Sequence, residues 1–302
     1  MKPKSDAITI SVIMAVKNGG AYLENAIKSI LCQTFGDFEF IIINDASTDN
    51  TEKIIKSVQD ERIVLLTNEK NIGLTKSLNI GLETARGKYI ARMDADDISL
   101  EDRFQKQYQY LEEHPEVYLL SCSYREFGTR FYTNRINLSS QEIQGQYLFG
   151  SVLPHPGFMF RRELIEQYEY FYDPEIRYAQ DYDFQFRVST RFKVACLADV
   201  LIRYRVSNNQ ISSQKVEEQR CYANKTRKKV YDFYGIACSA NQIDTLAKIY
   251  SGDRNISKKN AIGVISLLKE INKKTKQTPY YEYINKKVLE YLQIANMLLF
   301  TI

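Results

Sequence analysis

Between residues 8 and 98, short apolar runs alternate with helical periods, and this alternation constrains the fold more than any other feature of the chain. ITISVIMAV precedes YLENAIKSILCQ, and FEFIIIND precedes a segment opening at Ser47-Thr48-Asp49. RIVLLT then precedes LTKSLNIGLETA, and KYIARM ends the series. Neighbouring parallel strands need a crossover that a helix supplies, so the pattern predicts an α/β fold: a mostly parallel sheet flanked by helices. Sheets of this class bind ligands at the carboxyl ends of their strands. Those ends are where the polar residues collect: Lys17-Asn18-Gly19-Gly20, Asn44-Asp45 and Asp94-Ala95-Asp96-Asp97.

After residue 100 the chain reads as an amphipathic helix, EDRFQKQYQYLEEH, stopped by Pro115, then a strand VYLLSCSY and an aromatic-rich stretch to about residue 150. HPGFMFRREL reads as a strand feeding a helix, and DYDFQFRVST as a helix opening on Asp181. KVACLADVLIRYRV reads as two strands joined at Ala198-Asp199, so the sheet is expected to turn mixed. Beyond Ser207 the periods are helical, with breaks at Gly235 and Ser251-Gly252-Asp253. The expected organisation is an α/β domain over 1–206, in two halves at about 1–98 and about 99–206. A helical region over 207–302 follows.

With 44% hydrophobic and 26% charged residues in 302 positions, the chain can bury a core, which excludes intrinsic disorder. Five cysteines without a C-x-x-C pair exclude a disulfide framework and a zinc site and point to a reducing compartment. Lys2 and Lys4 ahead of ITISVIMAV faintly mimic a signal peptide, but no small-residue cleavage site follows, so the run is expected to be the first buried strand. No segment has the roughly 20 apolar residues a membrane span requires. Residues 207–302 hold 16 Lys+Arg against 8 Asp+Glu, so the net charge of +4 divides into about +8 there and about −4 elsewhere.

Asp94 and Asp96 lie two apart in an extended turn and so project the same way; their hard oxygens suit Mg²⁺ or Mn²⁺. The competing reading is a polar loop with a helix cap at Ser99, which needs none of the acids. Asp45 ends a very apolar strand, where a fixed carboxylate can accept a hydrogen bond from an imide N–H or a ribose hydroxyl. In the bland alternative Ser47 or Thr48 caps the next helix with Asp49 at its positive end, which still leaves Asp45 unexplained. Asn71-Ile72-Gly73-Leu74-Thr75-Lys76 offers Gly73 for close approach and a helix N-terminus for anions, with Lys76 and Arg92 as phosphate contacts. His155 sits in a Pro-Gly turn, whereas His114 at a helix end reads as structural. Asp181 and Asp183 fit either a helix cap or chemistry.

Taken in order, SVIMAVKNGGAYLENAIKSILCQTF, IIINDASTDNT, NIGLTKSLNIGLETARGKYIARMDADD, HPGFMFRREL and AQDYDFQFRV resemble family 2 glycosyltransferases of the GT-A fold over about residues 8 to 206. The resemblance implies a nucleotide-activated sugar, most often a UDP-sugar, lying across the strand ends. It also implies transfer to a glycan or lipid-linked saccharide in cell-surface polysaccharide synthesis. Asp45 would meet the uracil, with Ala15, Val16 and Asn18 lining the nucleoside pocket. Asp94-Ala95-Asp96 matches the D-x-D motif, Asp94 facing ribose or sugar and Asp96 binding the metal, and Asp181 matches the general base of inverting members. Gln180 stands where members often carry Glu, and Ser207 where they often carry a His that assists the diphosphate. Arg203, Arg205 and His155 are the groups available in its place. The alternative is a nucleotide-sugar-binding protein with weak or lost turnover.

Other classes fail on residues. There is no G-x-G-x-x-G after the first strand, no Gly-rich Arg-containing loop for nucleotidyl transfer, and neither Trp nor spans for a membrane-embedded synthase. Nucleic acid is not an expected partner. YINKKVLEYLQIANMLLF reads as an amphipathic helix with Lys286, Lys287, Glu290 and Gln293 on its polar side. Two readings stay open for it: peripheral contact with the inner face of the cell membrane from the cytoplasm, or packing on the catalytic domain or a second subunit.

Overall fold

The computed structural model of the protein describes residues 8–207 and 214–300. Lys2 and Lys4 lie outside the described residues. Strands β1 (Ile10–Val16), β2 (Phe38–Asn44), β3 (Ile63–Thr67) and β4 (Tyr89–Arg92) pair in parallel in the order β3-β2-β1-β4, with β1 against both β2 and β4. Helices α1 (Leu23–Leu31), α2 (Thr51–Ser57) and α3 (Leu74–Thr84) make the crossovers. Side chains of a strand alternate between faces. Accordingly Val12, Met14 and Val16 of β1 join the apolar cluster of α1, while Ile13 joins that of α3, with Leu78 and Leu82. Helix α3 comes so close to the sheet that a Cβ at Gly81 would stand 2.5 Å from Ile13 Cγ2.

The second half adds β5 (Ile98–Ser99), α4 (Arg103–Glu113), β6 (Val117–Gly128), β7 (Thr133–Asn134), α5 (Ser140–Gln146), β8 (Met159–Arg161), α6 (Glu163–Glu166), α7 (Gln180–Ser189) and β9 (Lys193–Val206). Strands β8, β6, β9 and β5 continue the sheet from β4, and β7 pairs with β6. β8 runs antiparallel to β4, β9 parallel to β6, and β5 antiparallel to β9, so the sheet becomes mixed as expected.

Three local expectations are corrected. Ser99 does not cap a helix but lies in β5, and α4 begins four residues later. Ser47 and Thr48 do not cap α2: it starts at Thr51, whose N–H is accepted by Asp49 Oδ1 at 3.0 Å. Residues 193–206 form one strand rather than two; its register slips between Leu197 and Val200, so Ala198-Asp199 is a bulge.

The C-terminal helices are α8 (Val216–Phe233), α9 (Ala240–Tyr250), α10 (Lys258–Lys274) and α11 (Tyr281–Phe300), with breaks at Gly235 (φ 64°) and Gly252 (φ 89°). The apolar stripe of α11 faces inward: Ile284, Val288, Tyr291, Ala295 and Leu298 are buried in the cluster that also holds Phe149 and Phe184. Tyr283 donates to Gln146 of α5, and Lys229 of α8 reaches the buried Asp183 of α7 at 2.7 Å. Among the described residues no helix is long and apolar enough to cross a membrane.

Candidate active site

The carboxyl ends of β1, β2 and β4 open on one edge because the strands are adjacent and parallel. Asn44 pairs with Val16, and Arg92 with Ile13. At the first two ends the loops clasp each other. Asn18, at φ 52°, takes the Thr48 N–H on Oδ1 at 2.9 Å and donates its own N–H to Ser47 Oγ. Ala15 is partly buried and Val16 buried beneath this clasp.

Asp45 is 3% exposed, and its carboxylate is organised by the chain itself. Oδ1 accepts Asn68 Nδ2 and the Ile72 N–H, and Oδ2 accepts the Gly73 N–H, all at 2.9 Å. This ties the loop before α3 to the end of β2. Gly73 has φ 89°, ψ 161°, a conformation open to glycine almost alone, and the side is empty where a Cβ would project. Asn71 closes the turn by accepting the same Gly73 N–H at 3.1 Å, and Lys76 is exposed in the first turn of α3. Asp45 Oδ2 takes one N–H here and, as a carboxylate oxygen, can take another.

At the end of β4 the ligand atoms of Asp94, Asp96 and Asp97 all lie within 4.8 Å of one another. Asp94, Ala95 and Asp96 are partly exposed, whereas Asp97 is fully buried. Asp97 Oδ1 accepts the Arg205 N–H at 2.7 Å, and Oδ2 has no partner among the described residues. Burial, with the charges of Asp94 and Asp96 beside it, holds the Asp97 carboxyl well above the usual carboxylate range. Three clustered carboxylates, one of them with an orphaned buried oxygen, repel unless a cation or protons neutralise them. The donor set is all oxygen and therefore fits Mg²⁺ or Mn²⁺ rather than a softer ion.

Arg92 lies beneath the acids, 3% exposed, with Nη2 on Asp94; its Nε and Nη1 find no partner among the described residues. Burial opposes its charge, but Asp94 outweighs that and holds its pKa above the ordinary arginine value. Arg103, wholly buried, donates to the carbonyls of Arg92 and Phe158 and fixes the end of β4; burial pushes its pKa down to about 10.

The Pro-Gly turn holds His155, 8% exposed, with Nε2 2.8 Å from the Tyr172 hydroxyl. Burial, and then the Arg92 charge, push its pKa well below the usual histidine value, so it is neutral. Asp181 is partly buried in the first turn of α7, which opens after Ala179 at φ 57°. Burial raises the Asp181 pKa; amide N–H groups of the helix start and the Arg92 guanidinium oppose that rise, and Asp94 adds to it. Asp181, Arg92 and Asp94 therefore share one electrostatic environment.

Of the two acids near the start of α7, Asp183 proves structural, held by Arg187 and Lys229, each at 2.7 Å. Arg205, one of the groups expected near the diphosphate, reaches the acidic turn: its Nε donates to the Asp96 carbonyl at 2.8 Å and its guanidinium stacks on Tyr22. Tyr172 and Arg103 are additions from the structure, and Tyr172 carried no signal beyond being aromatic; Asp97, already conspicuous as the third acid of the run after β4, joins Asp94 and Asp96 in one cluster.

The family described as Glycosyl transferase family 2 matches residues 11–169. An uncharacterized glycosyltransferase of Haemophilus influenzae is 32% identical over 267 residues, covering 82% of this chain and 81% of the relative. The amylovoran biosynthesis glycosyltransferase AmsE of Erwinia amylovora is 30% identical, covering 64% and 74%. Among solved structures, residues 1–349 of S. aureus TarS in complex with UDP-GlcNAc superpose with a TM-score of 0.65 at 15% identity, covering 95% of this chain and 90% of that one. The mannosyltransferase PcManGT of Pyrobaculum calidifontis, in complex with GDP-Man and Mn²⁺, gives 0.59 at 15% identity, covering 99% and 88%. Motifs, fold and relatives agree: the chain belongs to glycosyltransferase family 2 and adopts the GT-A fold.

Proposed function

We propose that the protein is an inverting, cation-dependent transferase that moves a hexosyl or N-acetylhexosaminyl group from a UDP-sugar to a hydroxyl of a glycan or lipid-linked saccharide. The observation that carries this reading is the cluster of Asp94, Asp96 and Asp97 at the end of β4, with the Asp181 carboxyl in the same field. The occurrence of a UDP-GlcNAc complex among the structural neighbours, and of amylovoran biosynthesis among the relatives, supports the donor and the polysaccharide setting.

In this reading the nucleoside lies over Ala15, Val16 and Asn18, with Asp45 accepting the imide N–H through its remaining lone pair. Asn71 and Gly73 shape the floor of that pocket, and Lys76 at the start of α3 meets phosphate oxygen. Asp96 and Asp94 would hold Mn²⁺ or Mg²⁺, which would supply positive charge to neutralise the leaving diphosphate. Arg92 fixes Asp94, and neutral His155 borders the sugar side. Asp181 takes the proton of the acceptor hydroxyl as its oxygen bonds to the anomeric carbon. The bond from that carbon to the diphosphate oxygen breaks on the opposite face, inverting the centre.

Residues 1–206 carry the chemistry and helices α8 to α11 brace it, with Lys229 on Asp183 fixing α7 from behind. The cytoplasm is the proposed compartment, in keeping with five unpaired cysteines. The test is release of UDP from a panel of UDP-sugars with Mn²⁺ and a saccharide acceptor. Turnover that requires both the cation and Asp181 supports the assignment. Tight UDP binding with no turnover of any donor contradicts it.

A further inference from the structure

Helix α3 makes polar contacts at both ends of the proposed site. Its start is held by Asp45 through the Ile72 and Gly73 N–H groups. Two residues after Gly73, Thr75 donates to the Ile176 carbonyl at 3.1 Å. Four residues later on the same face, Asn79 grips Tyr172 at two points: Nδ2 donates to its carbonyl at 2.9 Å, and Oδ1 accepts its N–H at 3.0 Å.

Asn is a weak helix former because its amide competes for backbone groups. At position 79 that amide is turned outward to hold another segment of backbone, in a pattern like one rung of a sheet. The segment it holds leads into Asp181. The Tyr172 ring also lies against Phe184, whose centroid is 4.7 Å away and which follows Asp181 on α7 by three residues.

We propose that α3 is a strut coupling the nucleotide-side carboxylate Asp45 to the base Asp181, with Asn79 the residue that positions the 172–181 segment. The inference rests on the roles given to Asp45 and Asp181 above. A nucleotide engaging Asp45 and the start of α3 steadies the helix. Through Asn79 and Thr75 it then steadies the segment that presents the base. Asn79 touches neither donor nor acceptor, so it acts as a positioning residue.

The experiment is amide hydrogen exchange of peptides spanning 170–183 in the full chain, with and without UDP and Mn²⁺, in wild type, Asn79→Ala and Thr75→Val. UDP affinity and thermal midpoint are measured alongside. In wild type, UDP should slow exchange in that segment. In Asn79→Ala the UDP affinity should persist while the UDP-induced slowing falls on the order of tenfold, the weight of a lost pair of hydrogen bonds. Thr75→Val, nearly isosteric, should give a smaller loss in the same direction. A purely structural Asn79 would speed exchange in the free protein but leave the UDP-induced change intact, and that result overturns the proposal. So does wild type that binds UDP without any change in 170–183. Failure of wild type to bind UDP at all overturns the functional reading first, and this inference with it.

Discussion

Asp97 accepts the Arg205 N–H at 2.7 Å through one carboxylate oxygen, while its other oxygen is buried without a partner among the described residues. The acidic turn is thereby pinned to the last residues of β9. A carboxyl raised by burial binds its proton more tightly folded than unfolded. Its contribution to stability is therefore full below the unfolded value, about 3.9, and is lost as pH rises through the folded value.

Asp97→Asn should consequently stabilise the metal-free protein at pH 7, and the gain should vanish near pH 4. Urea midpoints of wild type and variant across that range check the sign. The difference between the two proteins is the quantity to read, because carboxyls with lowered pKa values, such as Glu39 and Asp60, slope the other way.

Mn²⁺ should raise the thermal midpoint of wild type, since a ligand bound by the native state alone adds about 2.7 kcal/mol at a hundred times its Kd. Asp96→Ala should abolish the rise and a chelator reverse it, as followed by scanning calorimetry.

Asp181→Asn should leave UDP affinity within a few-fold of wild type and reduce transfer by at least about 10²-fold, the usual contribution of a positioned base. Because burial raises the Asp181 pKa, the acidic limb of kcat/KM in wild type should lie above the ordinary carboxylate range: activity is lost as pH falls and the base is protonated. A pH–rate profile measures this directly.

Deletion of residues 281–302 should lower the thermal midpoint by about 10 °C or more rather than merely release the protein from vesicles. Ile284, Val288 and Tyr291 are core residues, each contributing about 1.5–3 kcal/mol. A truncated protein that keeps its midpoint would show that the helix is an appendage.

Most of the frame was legible because strand periodicity and crossover length are local properties. The apolar face assignments of β1 and β2 follow from a two-residue period, and the acids at the strand ends follow from where those periods stop. The cap at Ser99 failed because pairing of Ile98-Ser99 with β9 is a long-range contact that no local pattern encodes. The split at Ala198-Asp199 failed for a related reason: a bulge and a turn share composition and differ in what the partner strand does. Asn79 and Tyr172 gave no signal because a polar residue inside a helix and an aromatic in a loop acquire meaning only when brought together. The inward face of α11 was present in the sequence as an amphipathic stripe; what that stripe packs against was not.

The most direct test of the central claim is a crystal of the wild-type protein soaked with UDP and Mn²⁺, with manganese located by its anomalous signal. The account predicts one manganese bound by Asp96 at the end of β4, bridging to the diphosphate, with uracil at Asp45 and the Asp181 carboxylate facing the vacant sugar site. Manganese elsewhere, or UDP bound away from Asp45 and the acidic turn, would contradict it.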